Sequence, residues 1–161
     1  MRMKKVAVLG VSLVVGLVTM ASGAGSTGPA TVLKADTMAG VTGPYVGATN
    51  PIRGVNGGGV PWAISEGKVV LGADGSLEVK VEGLVLVATG ANPVPSFRAI
   101  VSCQTIVDGA AAVSNVSTDA FPATTTGDSK IEATMALPSP CFAPIVFVTS
   151  PGGSWFAVTG I

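Results

Sequence analysis

The sequence predicts an all-β protein, folded as an antiparallel β-sandwich of about seven strands with one disulfide. Residues 77–82 (Leu-Glu-Val-Lys-Val-Glu) alternate strictly between apolar and charged side chains, as in a strand with one face on the core and one in solvent. Asp74-Gly75 and Asp108-Gly109 each separate two strand-like segments, and Asp-Gly is a strong hairpin signal. After residue 24 the chain carries no apolar stripe at the 3.6-residue helical period, so a helical fold is not favoured.

Residues 1–24 are typical of a cleaved secretory signal peptide. A basic start (residues 1–5) precedes an uncharged apolar run over 6–20, and the small residues 21–24 supply a cleavage site, which we place after Ala24. A membrane anchor is the alternative, but the run is shorter than the about 20 apolar residues of a spanning helix. We therefore expect an exported mature protein, secreted or periplasmic, with no membrane span after cleavage.

The mature chain is interpreted as an arm followed by one domain. Residues 25–52 are rich in Gly, Ala, Thr and Ser, with prolines that interrupt regular structure. They predict an extended, partly flexible arm that adds an edge strand around Thr31–Leu33; a mobile linker is the alternative. Residues 53–161 are predicted to form a single β-sandwich domain, long enough to bury an ordinary core.

The first half of the domain begins with the glycine-rich stretch Arg53–Trp62. It predicts a tight connection into the first strand, with Trp62 capping the core. Residues 63–71 predict a strand that is irregular at Gly67. After the alternating strand, Gly83 predicts a bulge or bend, and residues 84–87 predict a strand covered on both faces.

The second half of the domain is predicted to alternate between strands and turns down to its last residues. The predicted elements are a strand over 96–107, a weaker strand over 110–118, a polar loop over 119–128, an alternating strand over 129–137, a proline-rich corner over 138–144, a strand over 145–149, a turn over 150–153 and a closing strand over 154–160.

Cys103 and Cys141 are the two cysteines of the chain, and two cysteines in an exported protein favour a disulfide. Closing a loop of about 39 residues would stabilise the fold by about 4 kcal/mol in the chain-entropy model. The pair is only loosely similar to the inter-sheet disulfide of an immunoglobulin-like sandwich. Cys141 lies in a corner before a strand, and neither tryptophan lies between the two cysteines.

The absence of histidine removes the Ser-His-Asp and Cys-His arrangements and the usual histidine-containing zinc and copper sites. We expect no metal, no cofactor and no catalytic residue. A glycosidase that uses two carboxylates stays open, although Glu78 and Glu82 on one strand would lie about 13 Å apart.

The mature chain keeps six basic and nine acidic residues, a net charge of −3. Only 11% of the whole chain is charged, against about a quarter in ordinary domains. A weakly acidic domain without a basic cluster disfavours nucleic acid and anionic membranes as partners.

Five residues are candidates for a recognition patch: Arg53, Asn56, Trp62, Arg98 and Trp155. Both tryptophans follow glycine-rich turns, so they either close the core or form an exposed patch, and core positions are favoured. Arg98 is a lone charge on an apolar strand, which predicts either a solvent-facing side chain or a pair with a carboxylate such as Glu66.

Three segments, 53–62 (RGVNGGGVPW), 97–103 (FRAIVSC) and 137–160 (LPSPCFAPIVFVTSPGGSWFAVTG), resemble a group of small exported, mostly bacterial proteins. The resemblance covers about two thirds of the mature chain, as judged from these segments and their spacing. It implies export and a single domain. It carries over no activity and no catalytic or binding residue.

The sequence favours a secreted, non-catalytic binding or structural module over an enzyme. Two alternatives stay open: a carbohydrate-directed enzyme that uses carboxylates, and a self-associating envelope or matrix component that joins through an apolar strand edge or the arm. The partner is an unidentified protein, a glycan or a second copy.

Overall fold

The computed structural model describes residues 28–160, and the predicted signal peptide lies outside them. The regular secondary structure of the described residues is almost entirely β, with one short 3₁₀ helix at Gly43–Tyr45, which confirms the predicted fold class. Within this range no helix has the length and apolar character needed to cross a membrane. The strands, in chain order, are β1 (Thr31–Ala35), β2 (Ala39–Gly40), β3 (Trp62–Ala63), β4 (Glu66–Gly72), β5 (Ser76–Glu82), β6 (Val85–Leu86), β7 (Ser96–Val107), β8 (Ala110–Ser117), β9 (Phe121–Pro122), β10 (Ser129–Thr134), β11 (Phe142–Thr149) and β12 (Trp155–Val158).

Two antiparallel sheets and a short ribbon make up the fold. The four-stranded sheet has the order β1-β4-β5-β10, and the six-stranded sheet has the order β2-β12-β11-β7-β8, with β9 paired to β7. A third, two-stranded ribbon joins β3 to β6. Both predicted Asp-Gly hairpins are present, because β4 pairs with β5 and β7 with β8. Asp108 and Gly109 have φ of 51° and 79°, as a two-residue type I′ turn requires.

The core lies between the two main sheets. Leu77, Val79 and Val81 are buried, while the charged residues between them are not, so the predicted alternation is confirmed. The aromatic part of the core is a cluster in which Trp62 stacks on Phe156, with ring centroids 3.9 Å apart. Phe97 meets both rings edge-on. Such offset and edge-to-face contacts add to the burial of the rings themselves.

The other face of the six-stranded sheet is also covered, by the connection over residues 41–60 that we call the covering segment. Tyr45 packs against Trp155, which in turn packs against Phe147, and Val55 of the covering segment is buried. The close approach depends on Gly57, because a Cβ there would collide with the carbonyl oxygen of Tyr45. The centre of β7 is therefore buried on both faces.

The N-terminal part of the described chain belongs to both sheets. The edge strand expected around Thr31–Leu33 is present as β1, which pairs with β4. Shortly afterwards β2 pairs with β12 in the other sheet, and Val41 is completely buried. These contacts tie residues 31–41 to the domain that follows them.

Two local predictions differ from the structure. The predicted irregularity at Gly67 is wrong: Gly67 pairs in unbroken register with Val81, and a Cβ there would lie 2.7 Å from the Met38 Cγ atom. The glycine makes room for Met38, and the strand is interrupted before Glu66 instead.

The strand predicted over 84–87 is shorter and less covered than expected. Only Val85 and Leu86 form a strand, and Val87 is 59% exposed. The chain leaves the four-stranded sheet after Gly83 and pairs with β3 in the short ribbon, so no second sheet covers it.

Candidate functional site

Cys103 and Cys141 form the predicted disulfide, with their Cα atoms 5.0 Å apart. Cys103 lies on β7 and is completely buried, and Cys141 directly precedes β11. Phe142 pairs with Gln104, so the bond joins neighbouring strands of one sheet. It does not join the two sheets as the immunoglobulin bridge does.

The structure does not gather the five candidate patch residues on one exposed surface. Trp62 is 3% exposed and Trp155 is fully buried, which agrees with the core positions favoured for them. Asn56 is exposed, but it serves the fold through its backbone, because its carbonyl accepts a hydrogen bond from the Trp155 amide at 2.9 Å.

Arg53 lies half-buried at an irregularity of the six-stranded sheet. The register between β7 and β11 shifts between Phe142 and Ile145, where Pro144 has no N–H to offer the ladder. One guanidinium nitrogen of Arg53 donates to the carbonyls of Ser102 and Ala143, both at 2.9 Å. Arg53 therefore fixes the covering segment to two strands at once.

Arg98 also binds backbone carbonyls. It donates to Thr118 and Pro151, both at 3.0 Å, and so joins the loops that follow β8 and β11. The suggested pair with Glu66 is not formed, because Glu66 lies in the other sheet and binds Lys68 at 2.5 Å. Within residues 28–160, Arg53 and Arg98 thus hold the fold together.

Two buried polar atoms near the covering segment lack a hydrogen-bond partner in the part of the chain that the structure describes. They are Ser102 Oγ and Trp155 Nε1. The Trp155 ring is closed off by Tyr45, and the Ser102 carbonyl is occupied by Arg53. Each unpaired group costs the fold about 1–3 kcal/mol.

The most regular charged surface is the outer face of the four-stranded sheet, which we call the charged face. Its central charged residues are Glu66, Lys68, Glu78, Lys80, Glu82, Lys130 and Glu132. At its edge, exposed Val70 separates Glu78 from Lys34 on β1. The strand register places like charges side by side across the sheet, in three rows. The basic row is Lys68–Lys80–Lys130, and the acidic rows on either side are Glu66–Glu82 and Glu78–Glu132.

Opposite charges on the charged face meet along the strands or diagonally. Lys80 binds Glu82 at 2.6 Å, and Lys130 binds Glu132 at 2.8 Å and Glu78 at 3.6 Å. The hydrogen bond from Lys68 lowers the pKa of Glu66. The hydrogen bonds to Glu82 and Glu132 raise the pKa values of Lys80 and Lys130. Both signs of charge therefore persist over a wide pH range.

Two further carboxylates organise turns beside this face. Asp128 accepts hydrogen bonds from Thr126 at 2.7 Å and from the Gly83 amide at 2.9 Å, and these bonds lower its pKa. Asp74 accepts two bonds from Ser76, which lower its pKa likewise. Over residues 28–160 no group of three or more Cys, Asp or Glu side chains is placed to hold a metal ion.

The sequence alone did not identify the charged face as a unit. Alternation predicted that Glu78, Lys80 and Glu82 point to solvent, but it says nothing about their neighbours on β4 and β10. Glu78 and Glu132 both contact Lys130, although they are far apart in the chain. Only the strand register shows that carboxylates from different strands lie within reach of one cation.

The chain matches no family model, no curated protein and no solved structure in the comparisons made with each.

Proposed function

We propose that the protein is an exported, non-catalytic binding or structural module and that the charged face is its binding surface. The proposal of export rests on the predicted signal peptide and on the disulfide, since disulfides persist mainly in oxidising compartments. The proposal of binding rests on the order of the charges in the three rows.

The like-charge neighbours within each row oppose folding, and the ion pairs along the strands and on the diagonal offset part of that repulsion. Like charges directly opposite each other on neighbouring strands are destabilising, and opposite charges are stabilising. The register places Lys80 between Lys68 and Lys130, and Glu78 opposite Glu132. A face selected only for solubility and stability would alternate the signs across the strands. The like-charge rows therefore favour a partner whose charges are complementary to them.

The geometry of the rows suggests an extended polymer that carries both carboxylates and amines. Charges within a row are spaced by the strand separation of about 4.8 Å, and neighbouring rows are about 6.7 Å apart, which is two residues along a strand. The charged face itself has no net excess of basic side chains. A purely anionic or cationic polymer would therefore be repelled by one set of rows.

The test is co-sedimentation of the mature protein, residues 25–161, with insoluble peptidoglycan, whose peptide stems carry both charges. Cellulose serves as an uncharged polymer of similar form. We expect the protein to sediment with peptidoglycan and to remain in solution with cellulose. Equal sedimentation with both polymers, or with neither polymer, would contradict a surface that recognises its partner by charge.

The matched variant is E78K/K80E, which exchanges two side chains on β5 and keeps the composition and net charge. It breaks the basic row and one acidic row, and it places a carboxylate between Lys68 and Lys130. We expect peptidoglycan binding to fall at least tenfold. The midpoint of unfolding should change little, because new attractions to Lys68, Lys130 and Glu132 replace the Lys80–Glu82 and Glu78–Lys130 ion pairs that the exchange removes.

The alternative of a carbohydrate-directed enzyme can be tested on Glu78 and Glu132, one of the two carboxylate pairs that face each other across strands. Both side chains are more than half exposed on an open sheet and share Lys130. A general acid needs a carboxyl whose pKa is raised by burial, and these two lie in water beside a cation. The test is hydrolysis of chromogenic glycosides by the native protein and by E78Q/E132Q. Hydrolysis by the native protein that is lost in the variant would favour the enzyme over our proposal.

A further inference from the structure

The four outer edges of the two main sheets differ in how well they are protected against pairing with a strand of another molecule. In the four-stranded sheet, β1 has a register shift and carries Lys34, and β10 carries Lys130 and Glu132. In the six-stranded sheet, β2 has only two residues. Short, charged or irregular edges are the usual means of preventing edge-to-edge pairing.

The fourth edge, β8, has none of these protections. It is eight residues long, and its sequence is Ala-Ala-Ala-Val-Ser-Asn-Val-Ser, without charge or proline. Its eight pairs with β7 run without a register shift, so no bulge interrupts the strand. Such an edge is a template for another strand.

The free backbone groups of this edge can be assigned from one hydrogen bond. The Thr118 amide donates to the Ala99 carbonyl at 2.9 Å. Antiparallel pairs alternate between bonded and non-bonded, so the N–H and C=O groups of every second residue before Thr118 point away from β7. Those residues are Ala111, Val113, Asn115 and Ser117, and within residues 28–160 no other backbone group bonds to them.

We propose that β8 pairs antiparallel with β8 of a second copy of this chain, about a two-fold axis at Ser114. This register uses every outward group: Ala111 bonds Ser117 of the second copy, and Val113 bonds Asn115 of the second copy. Because each bonded pair exchanges two hydrogen bonds, the four symmetric pairs form about eight. All the opposing side chains are small or uncharged, so no like charges meet along the paired segment.

Exposed apolar side chains flank the same edge. Phe142, Gln104 and Val113 lie opposite one another on three adjacent strands, and Ile106 follows two residues after Gln104 on the same face. Phe142, Val113 and Ile106 are 53%, 48% and 52% exposed. Pairing at β8 places Val113 opposite Asn115 of the second copy, with the two Val113 side chains as diagonal neighbours, and removes apolar surface from water.

The size of the contact predicts a weak dimer. The paired segment of seven residues is about 24 Å long, and a strand edge with one flanking face covers less than the about 800 Å² per partner of a standard interface. We expect a dissociation constant of tens of micromolar, about −6 kcal/mol. The dimer should therefore form at high local concentration and dissociate on dilution.

The first test is sedimentation velocity of residues 25–161 between 5 and 500 µM, on the order of the expected dissociation constant. The native sedimentation coefficient should rise with concentration from monomer to dimer. Val113→Pro removes one outward N–H and blocks the edge, but breaks no bond to β7, and should stay monomeric. Val113→Thr keeps the outward N–H and should still dimerise. A native protein that stays monomeric at 500 µM would overturn the proposal.

The second test determines the register and does not depend on how well the proline variant folds. A mixture of Val113→Cys and Asn115→Cys proteins, mildly oxidised, should form a cross-linked heterodimer, because those positions face each other within disulfide range. A mixture of Val113→Cys and Ser117→Cys proteins is two residues out of register and should cross-link far less. Equal cross-linking in the two mixtures would refute the Ser114 axis. E78K/K80E should dimerise like the native chain, so this proposal and the proposed binding surface can fail separately.

Discussion

Arg53→Ala should destabilise the protein by about 2 kcal/mol, because Arg53 joins the covering segment to the irregular part of the six-stranded sheet. The guanidinium donates to the Ser102 and Ala143 carbonyls, both at 2.9 Å. Hydrogen bonds that involve a charged group contribute about 1.5–3 kcal/mol each. Arg53 is half-buried and one nitrogen makes both bonds, so we take a value near that of a single strong bond.

The assay is urea unfolding of the native and variant proteins, followed by tryptophan fluorescence. Trp155 lies beneath the covering segment and Trp62 lies in the core, so both report on the transition. For Arg53→Ala we expect a lower midpoint with an unchanged slope, which indicates a change in stability alone. Lys34→Ala, which removes an exposed cation from β1, is the charge control and should change stability by less than about 0.5 kcal/mol.

Two results would refute this role of Arg53. One is an Arg53→Ala protein as stable as the native chain, which would mean that the two carbonyls find other donors at no cost. The other is an Arg53→Ala protein with native stability that no longer binds peptidoglycan. That result would make Arg53 part of the recognition patch that the sequence suggested. Retained binding with reduced stability is the result we expect.

Three further predictions concern the disulfide, the covering segment and the pH dependence of stability. Replacing Cys103 and Cys141 by alanine should lower stability by about 4 kcal/mol in the chain-entropy model for a separation of 38 residues, measured by urea unfolding; a loss below about 1 kcal/mol would mean that the closed loop is already ordered in the unfolded state. Gly57→Ala should cost at least about 2 kcal/mol, because the new Cβ meets the Tyr45 carbonyl, while Gly59→Ala, where the space is open, should cost much less. The lowered pKa of Asp128 contributes stability above its ordinary value of about 3.9 that is lost as the pH falls through the lower folded value; acid titration of unfolding should show a smaller loss for Asp128→Asn, and an identical loss would contradict the assigned hydrogen bonds.

Several local features of the fold were predicted correctly from signals that span only a few residues. The alternation over 77–82 gave the buried side chains of β5, and two Asp-Gly pairs gave the two hairpins. Predicting the disulfide required only the number of cysteines and the expected oxidising compartment. For the strand and the hairpins, neighbouring residues in the chain determine the local structure, so a single sequence is sufficient to predict it.

Features that depend on pairing between distant segments were not predictable in the same way. The like-charge rows exist because Lys80 pairs with Lys68 on one side and Lys130 on the other, and strand register is a long-range property. Gly67 is a related case. Its sequence context suggests a bulge, but the reason for the glycine is the Met38 side chain, which approaches from the connection between β1 and β2.

The roles of the two arginines were also hidden in the sequence. A lone arginine on an apolar segment signals that it needs a partner, and carboxylates are the partners that a sequence displays. Arg53 and Arg98 bind backbone carbonyls instead. Every residue has a carbonyl, so these partners leave no trace in the composition or spacing of side chains.

The central claim is that the order of charges on the four-stranded sheet, and not their number, creates the binding surface. The most direct measurement is the dissociation constant for peptidoglycan of the native chain and of E78K/K80E, at matched pH and about 0.15 M salt, where exposed charges are screened beyond about 8 Å. We expect the variant, with the same composition and net charge, to bind at least tenfold more weakly. Equal affinity of the two proteins would contradict the claim.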